Sequence, residues 1–290
     1  MRALPRLLAL VLALLTCGCQ TLLTPLDEQL PVAAPLADEA AEQLVSLAAC
    51  WEAEPLAGLL RVGYEGQHGD ATVLVTLTDS AQVVAMLESG QASLGLVVAP
   101  VDTRPTLPEG WAAYALALDG LALVASPEVA LPSISTVDLA RLYAGRVFSW
   151  SELIADADES TGVPIVVTRE SGAVLRQVFE EGVMGGQPIS TVAVVQATTQ
   201  ATLDYLATTP GALGYVPAAQ VDDRVRVVAL DDRLPTPSQL KRGRYPLRFA
   251  LWLVLPVSLD GLADANALQL ATYALGARGS RAIDAAYARP

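Results

Sequence analysis

At 290 residues and 52% hydrophobic, the chain can bury a sizeable core and is long enough for two domains. Charged residues make up only 17% and there is no repeat or long charge run, which argues against a disordered chain. The net charge of −13 argues against nucleic acid or an anionic membrane surface as partner, although a local nest of N–H groups can hold a small anion inside an acidic protein.

Residues 1–19 read as a secretory signal. Arg2 and Arg6 form the charged start, and Leu7 to Leu15 is an apolar run too short for an ordinary transmembrane helix. Thr16-Cys17-Gly18-Cys19 supplies the small-residue end. A cysteine directly after such a run resembles the lipobox of bacterial lipoproteins. Gly18 favours Cys19 as the lipidated residue, while Thr16 stands where leucine is usual; Cys17, after Leu14-Leu15-Thr16, is the alternative. No second long apolar span follows, so the mature chain is expected to be soluble and tethered to the membrane by lipid alone. Cys50 is then left as a buried small hydrophobe rather than a disulfide partner.

Residues 20–28 read as a tether, Leu30 to Pro35 as a short strand and Ala37 to Leu47 as a helix. Residues 48–70 carry no clear period, with a turn or loop around Gly63 to Asp70. Thr72 to Leu77 is a strand that ends at Thr78-Asp79-Ser80. The helix Ala81 to Glu88 follows, with Asp79 or Ser80 as N-cap and Gly90 as its stop. Strands are expected at Ser93 to Ala99 and Tyr114 to Ala125. Capping boxes at Ser135 to Asp138 and Ser149 to Glu152 each open a short helix.

The stretch from Pro164 to Gly182 organises the rest. Pro164 to Thr168 is a short β-branched run of buried-strand type, Arg169-Glu170-Ser171-Gly172 is a polar turn, and Val174, Leu175, Val178 and Phe179 recur at helical spacing. Strand, tight turn and helix start make an anion site, because free N–H groups and the helix dipole face the turn and Arg169 adds a bidentate charge. The same local pattern also makes an ordinary strand-to-helix connection with Ser171 merely capping the helix. A strand around Thr191 to Val195 follows, and then a helix Gln200 to Thr208 capped by Thr198 or Thr199. Val225 to Ala229 and Tyr245 to Leu255 are strand-like, and Ala263 to Ala274 and Arg281 to Tyr287 are helical. Strands alternating with helices make the chain α/β.

Signatures of common chemistries are missing. The single histidine, His68, lies in a predicted loop and reads as solvated surface; neither a Gly-x-Ser-x-Gly elbow nor a phosphate-loop Gly-Lys-Ser/Thr occurs. Asp156 to Gly162 lacks the glycine position and terminal glutamate of a calcium loop and reads as a solvated acidic turn. Cys50 and His68 have no metal-ligand spacing. Trp51, Trp111, Trp150 and Trp252 read as core. No catalytic residue, metal or cofactor is expected.

Five segments carry a resemblance. They are Asp119-Gly120-Leu121-Ala122-Leu123-Val124 with Pro127, Ser135 to Trp150, and Thr168 to Gly172 with Arg176 and Phe179, followed by Pro210 to Val216 and Tyr245-Pro246-Leu247-Arg248. In this order and spacing the mature chain resembles the type II solute-binding proteins of ABC importers, in particular the phosphate-binding-protein-like group. The resemblance implies a two-lobe periplasmic-binding-protein fold with ligand in the cleft. Residues 29–118 plus 240–290 would form one lobe and 119–239 the other. The cleft would be lined by the turns at Ala34-Pro35, Thr78-Asp79-Ser80, Arg169 to Gly172 and Gln196 to Thr199, at the carboxyl ends of strands.

The implied function is that of an extracytoplasmic lipoprotein, at the cell surface or in the periplasm, that captures a phosphate-like oxyanion and delivers it to ABC permease subunits as a monomer. Arg169 would be the charge clamp, Ser171 and Gly172 turn donors, Thr78, Asp79 and Ser80 the facing lobe, and Thr198 and Thr199 the remaining wall. Two departures stand out, and the first is at the end of the third strand, where Val98 stands in place of the acid some phosphate binders use and Asp102 is out of register. Where the family's phosphate binders have Ser-Gly-Thr, this chain has Ala173-Val174-Leu175. Two lost hydroxyl donors, at about 1.5–3 kcal/mol each, would weaken phosphate by about two to four decades. The alternative is a lipoprotein of the same fold that has lost the oxyanion and acts as a sensor, assembly partner or receptor for another ligand.

Overall fold

At its centre the sheet that runs through the protein is built from apolar runs whose two faces are both covered. In the computed structural model, which describes residues 43–155, 157, 161–257 and 265–290, strands β1 (Gln43–Cys50), β2 (Ala71–Thr78) and β3 (Leu94–Pro100) are parallel, in the order β2-β1-β3. Helices α1 (Glu54–Glu65) and α2 (Ser80–Glu88) connect them. β3 is buried along almost its whole length, as expected of a strand with helices on both faces.

β4 (Trp111–Ala125) joins the two halves. Its residues 111–120 pair antiparallel with β10 (Arg248–Pro256), which pairs on its other side with β3. Its residues 121–125 leave β10 and pair with β8 (Ala212–Pro217) and β9 (Arg226–Leu230). The switch falls at Gly120, where a Cβ would come within 2.8 Å of Leu240 and 2.9 Å of Pro235. Beyond it, β6 (Ile165–Thr168) pairs parallel with β8 and with β7 (Val194–Val195), while β5 (Ser133–Ile134) pairs with β9. Helices α3 (Thr136–Tyr143), α4 (Val174–Phe179), α5 (Thr199–Thr208) and α6 (Pro237–Lys241) belong to this second half. The C-terminal helices α7 (Ala265–Leu275) and α8 (Ala277–Asp284) pack beside α1 on the first. Among the described residues no helix is long and apolar enough to cross a membrane.

Helix starts are capped as expected, except that the box expected at Ser135 to Asp138 is only half made, the Asp138 carboxylate accepting from Ser135 Oγ instead of a backbone N–H. Asp79 accepts from Gln82 N–H, Ser135 from Asp138 N–H and Thr198 from Ala201 N–H, and Ser149 with Glu152 makes a complete capping box. Cys50 is buried and free.

Several expectations need correction. The helix expected through Leu47 gives way from Gln43 onward to β1: Val45, Leu47 and Ala49 are buried on one face and Ala48 and Cys50 on the other, so the run is a central strand. The segment without a clear period holds a 3₁₀ turn (Trp51–Ala53) and α1, so the helix reaches past Gly63 to Glu65. The strand around Thr191 shrinks to two residues, and the last helix starts at Ala277 rather than Arg281. Trp150 and Trp252 are core, but Trp51 is 37% exposed. His68 is half-buried and stacks on Tyr64 with ring centroids 4.3 Å apart. The signal, Cys17 and Cys19, the tether, the strand ending at Ala34-Pro35, the first part of the helix expected from Ala37 and most of the acidic turn at Asp156 lie outside the described residues.

Asp119, one residue before the strand switch, is 3% exposed and accepts from the backbone N–H of Gly120 at 2.8 Å and of Ala219 at 3.2 Å. Burial nevertheless lifts its carboxyl to about 6. An acid raised in the folded state holds a proton that the unfolded chain has released, so its contribution is full below the ordinary carboxylate value and lost as pH rises through the folded one. Urea denaturation of the wild type and Asp119→Asn should therefore show the wild type losing stability relative to the variant from about pH 4 to about pH 6, and no further change above about pH 7. Parallel curves would sink this assignment.

Candidate functional site

Four strand ends meet at one hollow of about 460 Å³. Trp51 and Glu52 follow β1, Asp79 to Ala81 follow β2, Arg169 to Val174 follow β6, and Ala197 and Thr198 follow β7. Val98 of β3 contributes an apolar wall. The carboxyl ends of strands in an open α/β sheet put helix N-termini, and so free backbone N–H groups, around the same space.

The turn after β6 is held from behind. Thr168 Oγ1 lies 2.8 Å from Tyr215 Oη, and that oxygen accepts the Arg169 backbone N–H at 3.2 Å. Tyr215 stacks on Phe179 (centroids 4.5 Å apart, planes 12° apart), and Phe179 packs on Tyr143 at 4.3 Å. The Tyr143 hydroxyl donates to Val167 O at 2.9 Å. Burial pushes both tyrosine hydroxyls above their ordinary titration range, so they stay neutral. From the front, Arg176 Nη1 donates to Arg169 O at 3.2 Å while its Nε donates to Glu180 at 2.8 Å. Gly172 turns the chain with φ 89°, a conformation that glycine adopts without a Cβ penalty.

Arg169 itself is 4% exposed and faces into the protein. Its Nε donates to Glu170 Oε2 at 3.1 Å and its Nη2 to Glu170 Oε1 at 3.2 Å and Ala197 O at 2.7 Å. Its Nη1 donates to Glu52 Oε1 at 3.1 Å. Burial opposes the charge, but the hydrogen bonds and the charges of Glu170 and Glu52 outweigh it and hold the guanidinium protonated. Glu52 is 8% exposed, in the 3₁₀ turn after β1. Beneath it burial drives the Cys50 thiol far up; the Glu52 charge adds to this and a hydrogen bond to Ser80 opposes it, so the sulfur is an inert neutral group.

Of the residues expected at the site, Asp79, Ser80, Arg169, Ser171, Gly172 and Thr198 line this hollow. Thr199 lines a neighbouring hollow of about 390 Å³ that shares Trp51 and Thr198 with the first. Its hydroxyl is buried without a hydrogen-bond partner. Thr78 ends β2 and lines neither. The expected turn at Ala34-Pro35 lies outside the described residues, and the turn after β1 brings Trp51 and Glu52 to the hollow. Sequence reasoning missed both, together with Gln220, whose Nε2 donates to Trp51 O at 2.7 Å. A signal was present: Pro55 in the first turn of α1 marks a helix start just after the apolar run 43–50. A larger hollow of about 590 Å³ lies away from the strand ends, between the end of α1 and α7–α8. In its wall Arg278 Nη1 donates to Gln67 Oε1 at 2.8 Å. Among the described residues no three or more His, Cys, Asp or Glu side chains are grouped to hold a metal.

Breaking a buried ion pair strands the surviving charge. Arg169→Ala should lower the stability of the ligand-free protein by about 3–5 kcal/mol in urea denaturation at pH 7, far more than Arg146→Ala in a surface turn. Equal effects would show that the guanidinium is not buried against Glu52.

Comparison with known proteins places this geometry in context. Residues 39–273 match the family model described as the PBP superfamily domain. The phosphate-binding protein PstS of Bacillus subtilis is 24% identical over 188 residues, which is 62% of this chain and 59% of that protein's own length. The crystal structure of a phosphate ABC transporter substrate-binding protein from Clostridium perfringens, with bound phosphate, superposes with a TM-score of 0.72 at 19% identity, covering 85% of this chain and 99% of that one. An ABC-type phosphate transport receptor from Vibrio cholerae gives 0.62 at 19% identity, covering 85% and 100%. The reduced OxyR regulatory domain from Pseudomonas aeruginosa gives 0.55 at 12% identity, covering 83% and 97%. At these identities the structural likenesses are likenesses of fold.

Proposed function

We propose a function from the premise that this chain belongs to the PBP superfamily: it is a non-enzymatic extracytoplasmic solute-binding protein that captures a phosphate-like oxyanion between two lobes. The observation that carries this reading is the inward-facing, buried guanidinium of Arg169 at a hollow where four strand ends converge. An oxyanion there would meet Arg169, the hydroxyls of Ser80 and Ser171, and the N–H groups at the starts of α2 and of the helical run after Gly172. The phosphate-binding relatives in sequence and fold support the same ligand class.

The lobes in this reading are residues 29–118 plus 240–290 and residues 119–239. The switch of β4 from β10 to β8 and β9 at residues 120 and 121 supports a boundary there. Closure on ligand shifts a pre-existing equilibrium, because the closed state alone presents both sets of donors. Delivery would be to ABC permease subunits, by a monomer anchored through a lipid on Cys19. The missing Ser-Gly-Thr hydroxyls favour an affinity below that of a phosphate binder that keeps them.

Calorimetry of the purified chain with phosphate, sulfate and molybdate is the direct test. Saturable heat with phosphate, abolished in Arg169→Ala, is expected; no heat with any of the three in correctly folded protein overturns the oxyanion reading. For the anchor, metabolic labelling with palmitate should tag the wild type, and Cys19→Ser should lose the tag and leave the membrane fraction. A tag that persists in Cys19→Ser assigns the lipid to Cys17 instead.

A further inference from the structure

The guanidinium expected to attract the ligand is already occupied. Glu170, its chain neighbour, takes Nε and Nη2, and Ala197 O takes Nη2 as well. Both partners belong to the same half of the molecule as Arg169. Glu52 does not: it follows β1 on the β2-β1-β3-β10 side of the sheet, 117 positions away in sequence, and reaches across to Nη1 at 3.1 Å. Both side chains are nearly sealed from solvent, with 5% and 10% of their side-chain surface left. A second bond crosses beside it, from Gln220 Nε2 to Trp51 O at 2.7 Å, so the single 3₁₀ turn Trp51–Ala53 is tied twice to the opposite half.

The charges around the hollow point the same way. Glu52, Glu170 and Asp79 supply three negative charges and Arg169 one positive, a balance of −2. An oxyanion added to that set would be repelled, whereas an oxyanion that replaces the Glu52 carboxylate finds a freed Nη1 and one fewer opposing charge. A carboxylate oxygen on a guanidinium nitrogen is also the contact that an anionic ligand's oxygen would make there.

We propose that Glu52 is a built-in surrogate for the anionic ligand: its carboxylate occupies Arg169 in the ligand-free protein, latches the two lobes together, and must be displaced when an oxyanion binds. Glu52 is thus a residue that sets affinity and the resting lobe arrangement by competition, not a ligand contact. The latch stands on geometry alone, while the displacement step rests on the oxyanion reading above.

The experiment separates the two. Keto-bearing side chains placed at the exposed positions Val62 on α1 and Val192 before β7 carry spin labels, so the native cysteines are untouched. Interlobe distances are measured by pulsed electron resonance on the full-length, detergent-purified chain without ligand. In Glu52→Gln, and in Glu52→Ala as the second variant, the distribution should broaden and shift to longer distances; circular dichroism confirms that each is folded. A distribution identical to wild type in both folded variants overturns the latch, whatever binds. Calorimetry with inorganic phosphate on the same proteins reads the displacement. Glu52→Gln should bind phosphate at least about tenfold more tightly than wild type, since a like charge beside the site is removed. Equal or weaker binding in that variant overturns the surrogate role while leaving the oxyanion site intact. No phosphate heat in any of the three overturns the oxyanion reading and with it the displacement, and the distances still decide the latch.

Discussion

The ion pair between Arg169 and Glu52 is the contact on which the arrangement of the cleft depends. It joins the end of β6 to the turn after β1, two segments that no strand pairing brings together. A buried pair is a weak stabiliser in itself, because desolvating two charges costs about as much as their attraction returns. Its significance is positional. A guanidinium keeps its charge in any setting, and the carboxylates against it offset the cost of burying that charge, so a full positive charge is held in place and neutralised at the strand ends.

Around that pair the scaffold is stiff. The turn that presents Arg169 leans on the Tyr143–Phe179–Tyr215 stack and is bonded by Tyr215 behind and Arg176 in front. Preorganisation of this kind spares a ligand the entropy of ordering its own site. The crossing between the halves is elsewhere. β4 changes partners at Gly120, and β10 lies against its first half only, so the two halves of the sheet share few strands at the crossing. Relative motion of the halves would bend β4 and leave each half's own core unbroken. At the same time α4 packs on β3 and β10, so the described conformation is one in which the halves are in contact.

A fold of this type says little about function alone. The chain superposes on phosphate receptors and, less closely, on a regulatory domain of OxyR. What separates such proteins is the chemistry at the strand ends. Here that chemistry combines a buried guanidinium, helix starts and hydroxyls at Ser80 and Ser171 with the carboxylates of Glu52, Asp79 and Glu170 and an exposed tryptophan. In the proposed reading the first group favours an oxyanion and the carboxylates of the second oppose one.

Much of the alternation of apolar strands with capped helices was readable from residue 71 onward, because period, caps and stops are local properties, although the strand Ala212–Pro217 and the helix Pro237–Lys241 were not. The turn Arg169 to Gly172 was readable for the same reason: β-branched strand, polar turn and helical spacing are adjacent in the chain. The first strand was not, since Gln43 to Cys50 follows Ala- and Glu-rich residues of good helical propensity and becomes a strand only because β2 and β3 flank it. The partner of Arg169 was out of reach for a different reason. Sequence placed a positive charge at a turn, but whether it faced solvent, a ligand or a carboxylate depended on a residue 117 positions away. Long-range pairing of charges leaves no periodic trace in a chain, and only the folding of two distant turns onto one edge of the sheet decided it.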